Sequence, residues 1–159
     1  MYLPFITVAL IIFLADQGSK ALVRASIPLG EQVEVVPGKF AITHARNRGA
    51  ADGKFANNRK AMSFFSIASL LGDLHTFYDL RKNFRNHQAA WLFFAMQVGG
   101  GLSNLLDRTI LKHTTDYLQI CPSRKKSPIF NIADIFLIIG GIGLLIIYMK
   151  QLILSIREH

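Results

Sequence analysis

Cysteine is almost absent from this chain. Cys121 is the only one in 159 residues, so no internal disulfide and no multi-cysteine metal site is possible. Histidine is no better placed for a metal: His75 has no second histidine four residues away, and a polar contact inside a helix bundle is the expectation for it. Acidic residues are scarce too, ten against eighteen Lys and Arg, for a net charge of +8. That surplus does not point to nucleic acid. The basic residues lie in loops between hydrophobic segments, where attraction to anionic lipid headgroups explains them. The N-terminus lacks a basic n-region and an A-x-A site, and Asp16 follows its apolar run. It is therefore read as a retained first helix and not as a cleaved signal peptide. Metal and cofactor are both expected to be absent.

What the chain has in quantity is apolar surface, with 51% of residues hydrophobic. Four stretches stand out, at 2–23, 61–80, 89–106 and 132–156, each close to the roughly 20 residues that a membrane span needs. The expectation is an integral membrane protein, mainly α, of one domain over 1–159, with loops at 25–60 and 107–131. The second stretch is interrupted by Asp73, His75 and Asp79. If it spans, Asp73 and His75 must face the bundle interior, because a charged group exposed to lipid is costly. Arg81, Lys82 and Arg85 follow, a cluster typical of a cytoplasmic turn.

The polar residues fall into short strings. ADQGSK in the first helix places Asp16 and Lys20 four apart on one face, where they can pair. In 25–60, EQVEVV and KFAITHA alternate about the Pro37–Gly38 turn, which predicts two short strands. ARNRGAADG follows; its small residues, Gly49 among them, allow close backbone approach, and Asn47 both donates and accepts hydrogen bonds. Helix three ends GGGLSNLLDR: its glycines allow tight helix packing, Asn104 and Asp107 share a face, and Arg108 is positioned to neutralise Asp107. A polar loop carries Asp116. Helix four then opens with FNIAD, where Asn131 reads as an N-cap and Asp134 as the acid of a capping box. Capping alone accounts for Asn131 and Asp134, but not for Asp116 close by.

Five of these strings, ADQGSK, ARNRGAA, GGGLSNLLDR, TTDY and FNIAD, resemble the lipoprotein signal peptidases (signal peptidase II) in order and spacing. The resemblance implies four transmembrane helices with a small extracytoplasmic β-sheet platform, in a monomer of the bacterial inner (cytoplasmic) membrane. It implies an aspartyl endopeptidase that cleaves diacylglyceryl-modified prolipoproteins just before the lipidated cysteine. Besides the precursor, the implied partners are membrane lipids. The family's catalytic pair falls on Asp116 and Asp134, and its substrate-binding or supporting residues on Asp16, Lys20, Asn47, Gly49, Asn104, Asp107, Arg108 and Asn131. Two neighbouring carboxylates cannot both ionise cheaply, so they share a proton and serve as acid and base without a metal.

The chain departs from the family at Asp52–Gly53, Ser103 and Thr114–Thr115, and in its polar second helix. Asp52-Gly53-Lys54 is expected to form a lip that shifts specificity. Two other readings stand beside the peptidase: a catalytically silent paralogue that binds lipidated peptides, and a small proton-coupled transporter. Most Lys and Arg fall in the two long loops, against the positive-inside trend, but long loops weaken that rule. Cys121, in the second of them, offers a thiol probe of sidedness.

Overall fold

The computed structural model describes residues 2–48, 59–120, 122 and 127–157, and of residues 59–67 and 70 the backbone alone. Gly49, the Asp52-Gly53-Lys54 segment and Cys121 lie outside the described residues.

The described residues form four helices and four strands, in the order α1 (Leu3–Ser26), β1 (Gln32–Val36), β2 (Phe40–Asn47), α2 (Arg59–Asn83), α3 (Gln88–Ile110), β3 (Thr114–Ile120), β4 (Ile129–Phe130) and α4 (Ile132–Arg157). Among the described residues three helices, α1, α3 and α4, are long and apolar enough to cross a membrane. Leucine and isoleucine cover their outer faces, with Leu10, Leu14, Ile138 and Leu145 all exposed, as a lipid environment requires. The protein is a mainly helical membrane protein with a small antiparallel sheet.

Helix α3 lies between α1 and α4, and glycine sets the spacing. A Cβ on Gly99 would stand 2.5 Å from the Ala9 carbonyl oxygen of α1, and one on Gly100 would stand 2.6 Å from that of Ala133 in α4. Backbones this close are what small residues make possible between membrane helices. The two ends of α3 differ in chemistry. Near its start, Trp91 packs against Tyr2, just before α1, Phe5 of α1 and Phe77 of α2, while Leu80, Phe84 and Leu144 complete an apolar cluster. Twelve to sixteen residues on, about 18–24 Å along the helix, the buried side chains are Ser103, Asn104 and Asp107. Tyr2 and Phe5 meet the first end and Lys20 the second, so α1 runs parallel to α3. Asn131 meets Asn104 and Leu144 joins the apolar cluster, so α4 runs antiparallel.

The sheet, ordered β1-β2-β3-β4, sits at the polar end. Both strands expected in 25–60 form, paired from Gln32↔Thr43 to Val36↔Phe40. Strand β3 is the difference from the sequence reading, which put Asp116 in a loop. Thr114, Thr115, Asp116 and Tyr117 are all buried, on both faces of the strand. A strand covered on both sides shows no two-residue alternation, and the pattern rule therefore misses it. A shift in the β2–β3 register between Ile42 and Ala45 marks a bulge, the device that re-aims side chains at functional rims.

Two further expectations are corrected. His75 is exposed while Asp73 is half-buried. Two residues along a helix is a rotation of about 200°, so the two cannot share its inner face. Asp107 does not pair with Arg108. Both lie in the last turns of α3, and consecutive helical residues do not face each other.

Candidate active site

Four buried or half-buried carboxylates, Asp16, Asp107, Asp116 and Asp134, surround one fully buried ammonium, Lys20, where the sheet meets α1, α3 and α4. The expected Asp16–Lys20 pair forms at 2.7 Å, and Lys20 Nζ also lies 3.3 Å from Asp107 Oδ2. Each acid has further donors. Asp16 Oδ2 accepts from Ser103 Oγ (2.6 Å) and Oδ1 from the Ala133 backbone N–H (3.0 Å). Asp107 Oδ1 accepts from Gln17 Nε2 (3.1 Å) and Oδ2 from the Thr115 N–H (3.1 Å). A buried ion group is tolerated only when its remaining lone pairs are matched in this way.

The two asparagines have one possible orientation each. Lys20 donates to Asn104 Oδ1 at 2.8 Å, and since an ammonium has no acceptor, the Asn104 amide nitrogen must point away from it. That nitrogen donates to Asp134 Oδ1 at 2.8 Å. Asn131 Oδ1 accepts from the Asp134 N–H (2.9 Å) and the Asn131 N–H donates to Asp134 Oδ2 (3.2 Å), the reciprocal capping box read from FNIAD. With its oxygen so committed, Asn131 Nδ2 reaches Asp116 Oδ1 at 2.7 Å. Asn131 therefore caps α4 and holds the side chains of Asp116 and Asp134 together. The other Asp116 oxygen accepts from Asn47 Nδ2 at 2.9 Å.

Burial, and after it the charge of Asp134, pushes the Asp116 carboxyl up to about 6, against the hydrogen bonds from Asn47 and Asn131 and the charge of Lys20. Among the described residues, no group of three His, Cys, Asp or Glu side chains is arranged to hold a metal ion.

The structure thus brings together Asp16, Lys20, Asn47, Asn104, Asp107, Asp116, Asn131 and Asp134. Arg108 is half-buried beside them, its Nε without a hydrogen-bond partner among the described residues. Four contributors escaped the sequence reading: Gln17, Ser103, Thr115 and Arg24. Gln17 and Ser103 lie inside strings already singled out. Thr115 is fully buried; its N–H serves Asp107 and its hydroxyl accepts from Arg24 Nη1 at 3.1 Å. Nothing in the sequence pairs Arg24 with a residue ninety-one positions away.

Comparison with solved proteins fixes the class first. Two bacterial membrane enzyme structures determined by the in meso method share this fold at 28% identity. One has a TM-score of 0.81, covering 92% of this chain and 88% of its own, and the other 0.80, covering 92% and 93%. The architecture is that of an integral membrane enzyme. Residues 8–150 match the signal peptidase (SPase) II family. Lipoprotein signal peptidases of Nitratidesulfovibrio vulgaris and Enterococcus faecalis are each 34% identical to it, over 84% and 89% of this chain and 81% and 84% of their own. The chain belongs to the signal peptidase II family, and is an aspartic-type signal peptidase.

Proposed function

We propose that this protein removes the signal peptide from diacylglyceryl-modified prolipoproteins, hydrolysing the amide bond just before the lipidated cysteine, with Asp116 and Asp134 as its acid–base pair. The observation that carries the assignment is the Asn131 side chain, whose amide binds Asp116 while its oxygen and backbone engage Asp134. Four acids around a single buried ammonium leave more negative charge than the cation offsets, and a shared proton relieves it. In this reading Asp116, pushed up to about 6 by burial and by the charge of Asp134, is assigned that proton. Asp134 takes a proton from water as the water oxygen attacks the scissile carbonyl, and Asp116 passes its own to the amide nitrogen as the C–N bond breaks. Lys20, Asp16, Asp107, Asn104 and Asn131 hold the pair in place. Asn47 and Arg108 are assigned to substrate contact, as are Gly49 and the Asp52-Gly53-Lys54 segment, these last from the sequence alone.

In this reading α2 is the fourth span and the enzyme is a monomer among the lipids of the bacterial inner membrane. Its sheet and site lie at the extracytoplasmic face and both termini in the cytoplasm. Arg81, Lys82 and Arg85 follow the Trp91 end of the bundle, consistent with a positive cytoplasmic turn. A proton-relay transporter has no support, since the acids of the site gather at one end instead of crossing the bundle. Incubating the purified protein with a diacylglyceryl-modified precursor and weighing the products tests the function. A released peptide and a mature chain beginning at the lipidated cysteine are expected. An uncleaved but bound precursor would mark a silent binder.

A further inference from the structure

The inner stripe of α2 changes in burial along its length. Ser69 is exposed, Asp73 and Thr76 are half-buried, and Leu80, with Phe84 just past the helix end, is buried. These residues recur at helical spacing on one face, so the gradient describes a wedge between α2 and the rest of the bundle. It is closed at the Trp91 end, where Tyr148 of α4 donates to Asp79 of α2 at 2.6 Å, and among the described side chains it widens towards Ser69. Asp73 lies partway up. Its Oδ2 stands 4.0 Å from the point a Cβ on Gly101 would occupy, and Leu137 Cδ2 stands 3.9 Å from the same point. Three helices therefore converge on the space that Gly101 leaves.

Gly101 precedes Asn104 by three residues and Leu137 follows Asp134 by three, so this point is one helical turn, about 5 Å, deeper than the Asn104–Asp134 hydrogen bond. The wedge therefore comes within one helical turn of the candidate active site. The hydroxyl of Thr76 is occupied by the Gly72 carbonyl at 2.9 Å. The Asp73 carboxyl, by contrast, makes no hydrogen bond or ion pair among the described residues. At membrane depth a carboxyl without a partner is costly, and in an open wedge the partner is whatever enters it.

We infer that Asp73 is a specificity-determining residue, accepting a hydrogen bond from a small hydroxyl-bearing side chain in the membrane segment of the signal peptide. This rests on the peptidase reading above. The occupant follows from the geometry. A precursor held at Asp134 must run its remaining signal segment along the bundle, and the wedge below Asp134, floored by Gly101 and walled by Leu137, is open among the described residues, so an apolar segment fits it. A small hydroxyl fits beside Gly101 where a large side chain would be crowded. An apolar residue there would leave the carboxyl unmatched, and a serine or threonine would satisfy it.

The test is a serine scan of a diacylglyceryl-modified precursor, comparing Ser with Ala at roughly the second to the sixth residue before the scissile bond, a span that covers one helical turn. The wild-type enzyme should favour Ser at one position by about three- to tenfold in kcat/KM, the worth of one hydrogen bond. Asp73→Asn should keep that preference and Asp73→Leu should bring the ratio to about one. Should Asp73→Leu fail to fold, Gly101→Leu, which fills the same space, should also erase the preference. Cleavage without a Ser preference at any position, or a preference that survives Asp73→Leu or Gly101→Leu, overturns the subsite alone. A wild-type enzyme that cleaves none of the lipidated precursors overturns the peptidase reading and the subsite with it.

Discussion

Lys20 Nζ lies 2.8 Å from Asn104 Oδ1, and that contact determines how Asp134 is held. The ammonium turns the Asn104 oxygen towards itself and so aims the amide nitrogen at Asp134. Replacing Lys20 with Met should leave Asp16 and Asp107 buried against each other without a cation and free the amide to rotate. Removing one partner of a buried ion group costs about 3–5 kcal/mol. Lys20→Met is therefore expected to unfold far more readily in detergent than the wild type. Equal denaturation midpoints would show that the ion group is not structural.

Asn131 combines two roles that substitution can separate. Asn131→Ala removes both the cap of α4 and the bridge to Asp116, so about 1 kcal/mol of stability and nearly all turnover should go together. Asn131→Asp keeps an oxygen for the Asp134 N–H but replaces the donor facing Asp116 with a third carboxylate. Because Asn131 is fully buried among acids that already outnumber the one cation, Asn131→Asp is expected to be the less stable of the two, with turnover still lost. Paired unfolding and cleavage measurements on the two variants check it.

Much of this was legible in the sequence, and the reasons for the rest are physical. The helices α1, α3 and α4, the two strands about Pro37–Gly38, the Asp16–Lys20 pair and the capping box of FNIAD all depend on neighbours within about four residues, which is the range that pattern rules cover. The partner of Asp107 was hidden because Lys20 is eighty-seven residues away, whereas Arg108, adjacent in the chain, points elsewhere. Strand β3 was hidden by burial on both faces. The inner face of α2 was half legible: Asp73 turns inwards as its cost in lipid demands, but His75 faces out. Ser103 read as a departure from family pattern, and its role is visible only in its 2.6 Å contact with Asp16.

Gly99 and Gly18 make a contrast within one bundle. A methyl at Gly99 would meet the Ala9 carbonyl oxygen at 2.5 Å, whereas nothing lies within 4 Å of one at Gly18. Gly99→Ala should force α1 and α3 apart and destabilise the protein by about 1–3 kcal/mol, the usual cost of overpacking. Gly18→Ala should be neutral or stabilising by up to about 1 kcal/mol through helix propensity. Melting temperatures in the same detergent decide the order.

The elevated Asp116 carboxyl carries a pH signature. With a value about 6 in the folded protein against 3.8 ordinarily, the native state binds the extra proton between those limits. Its contribution to stability therefore falls as pH rises from about 4 to about 6, by up to ~3 kcal/mol at 1.36 kcal/mol per pH unit. Asp116→Asn should thus gain stability relative to wild type at pH 7.5 and show no such gain at pH 4. In the active enzyme the same group is the proton donor, so kcat/KM should decline above about pH 6. A rate profile that is flat from pH 5 to 8 would contradict the assignment of the proton to Asp116.

The pairing of Asp116 with Asp134 is most directly tested by cleavage of a diacylglyceryl-modified precursor by purified Asp134→Asn and Asp116→Asn. Asparagine keeps the size of aspartate but cannot exchange the proton, so both variants should remain folded, retain precursor binding and lose turnover by at least about 100-fold, the lower range for a general acid or base. If Asp134 served only as the N-cap acid of α4, its replacement would cost about 1 kcal/mol or less of stability and leave turnover nearly intact. Cleavage by folded Asp134→Asn at close to the wild-type rate would contradict the account.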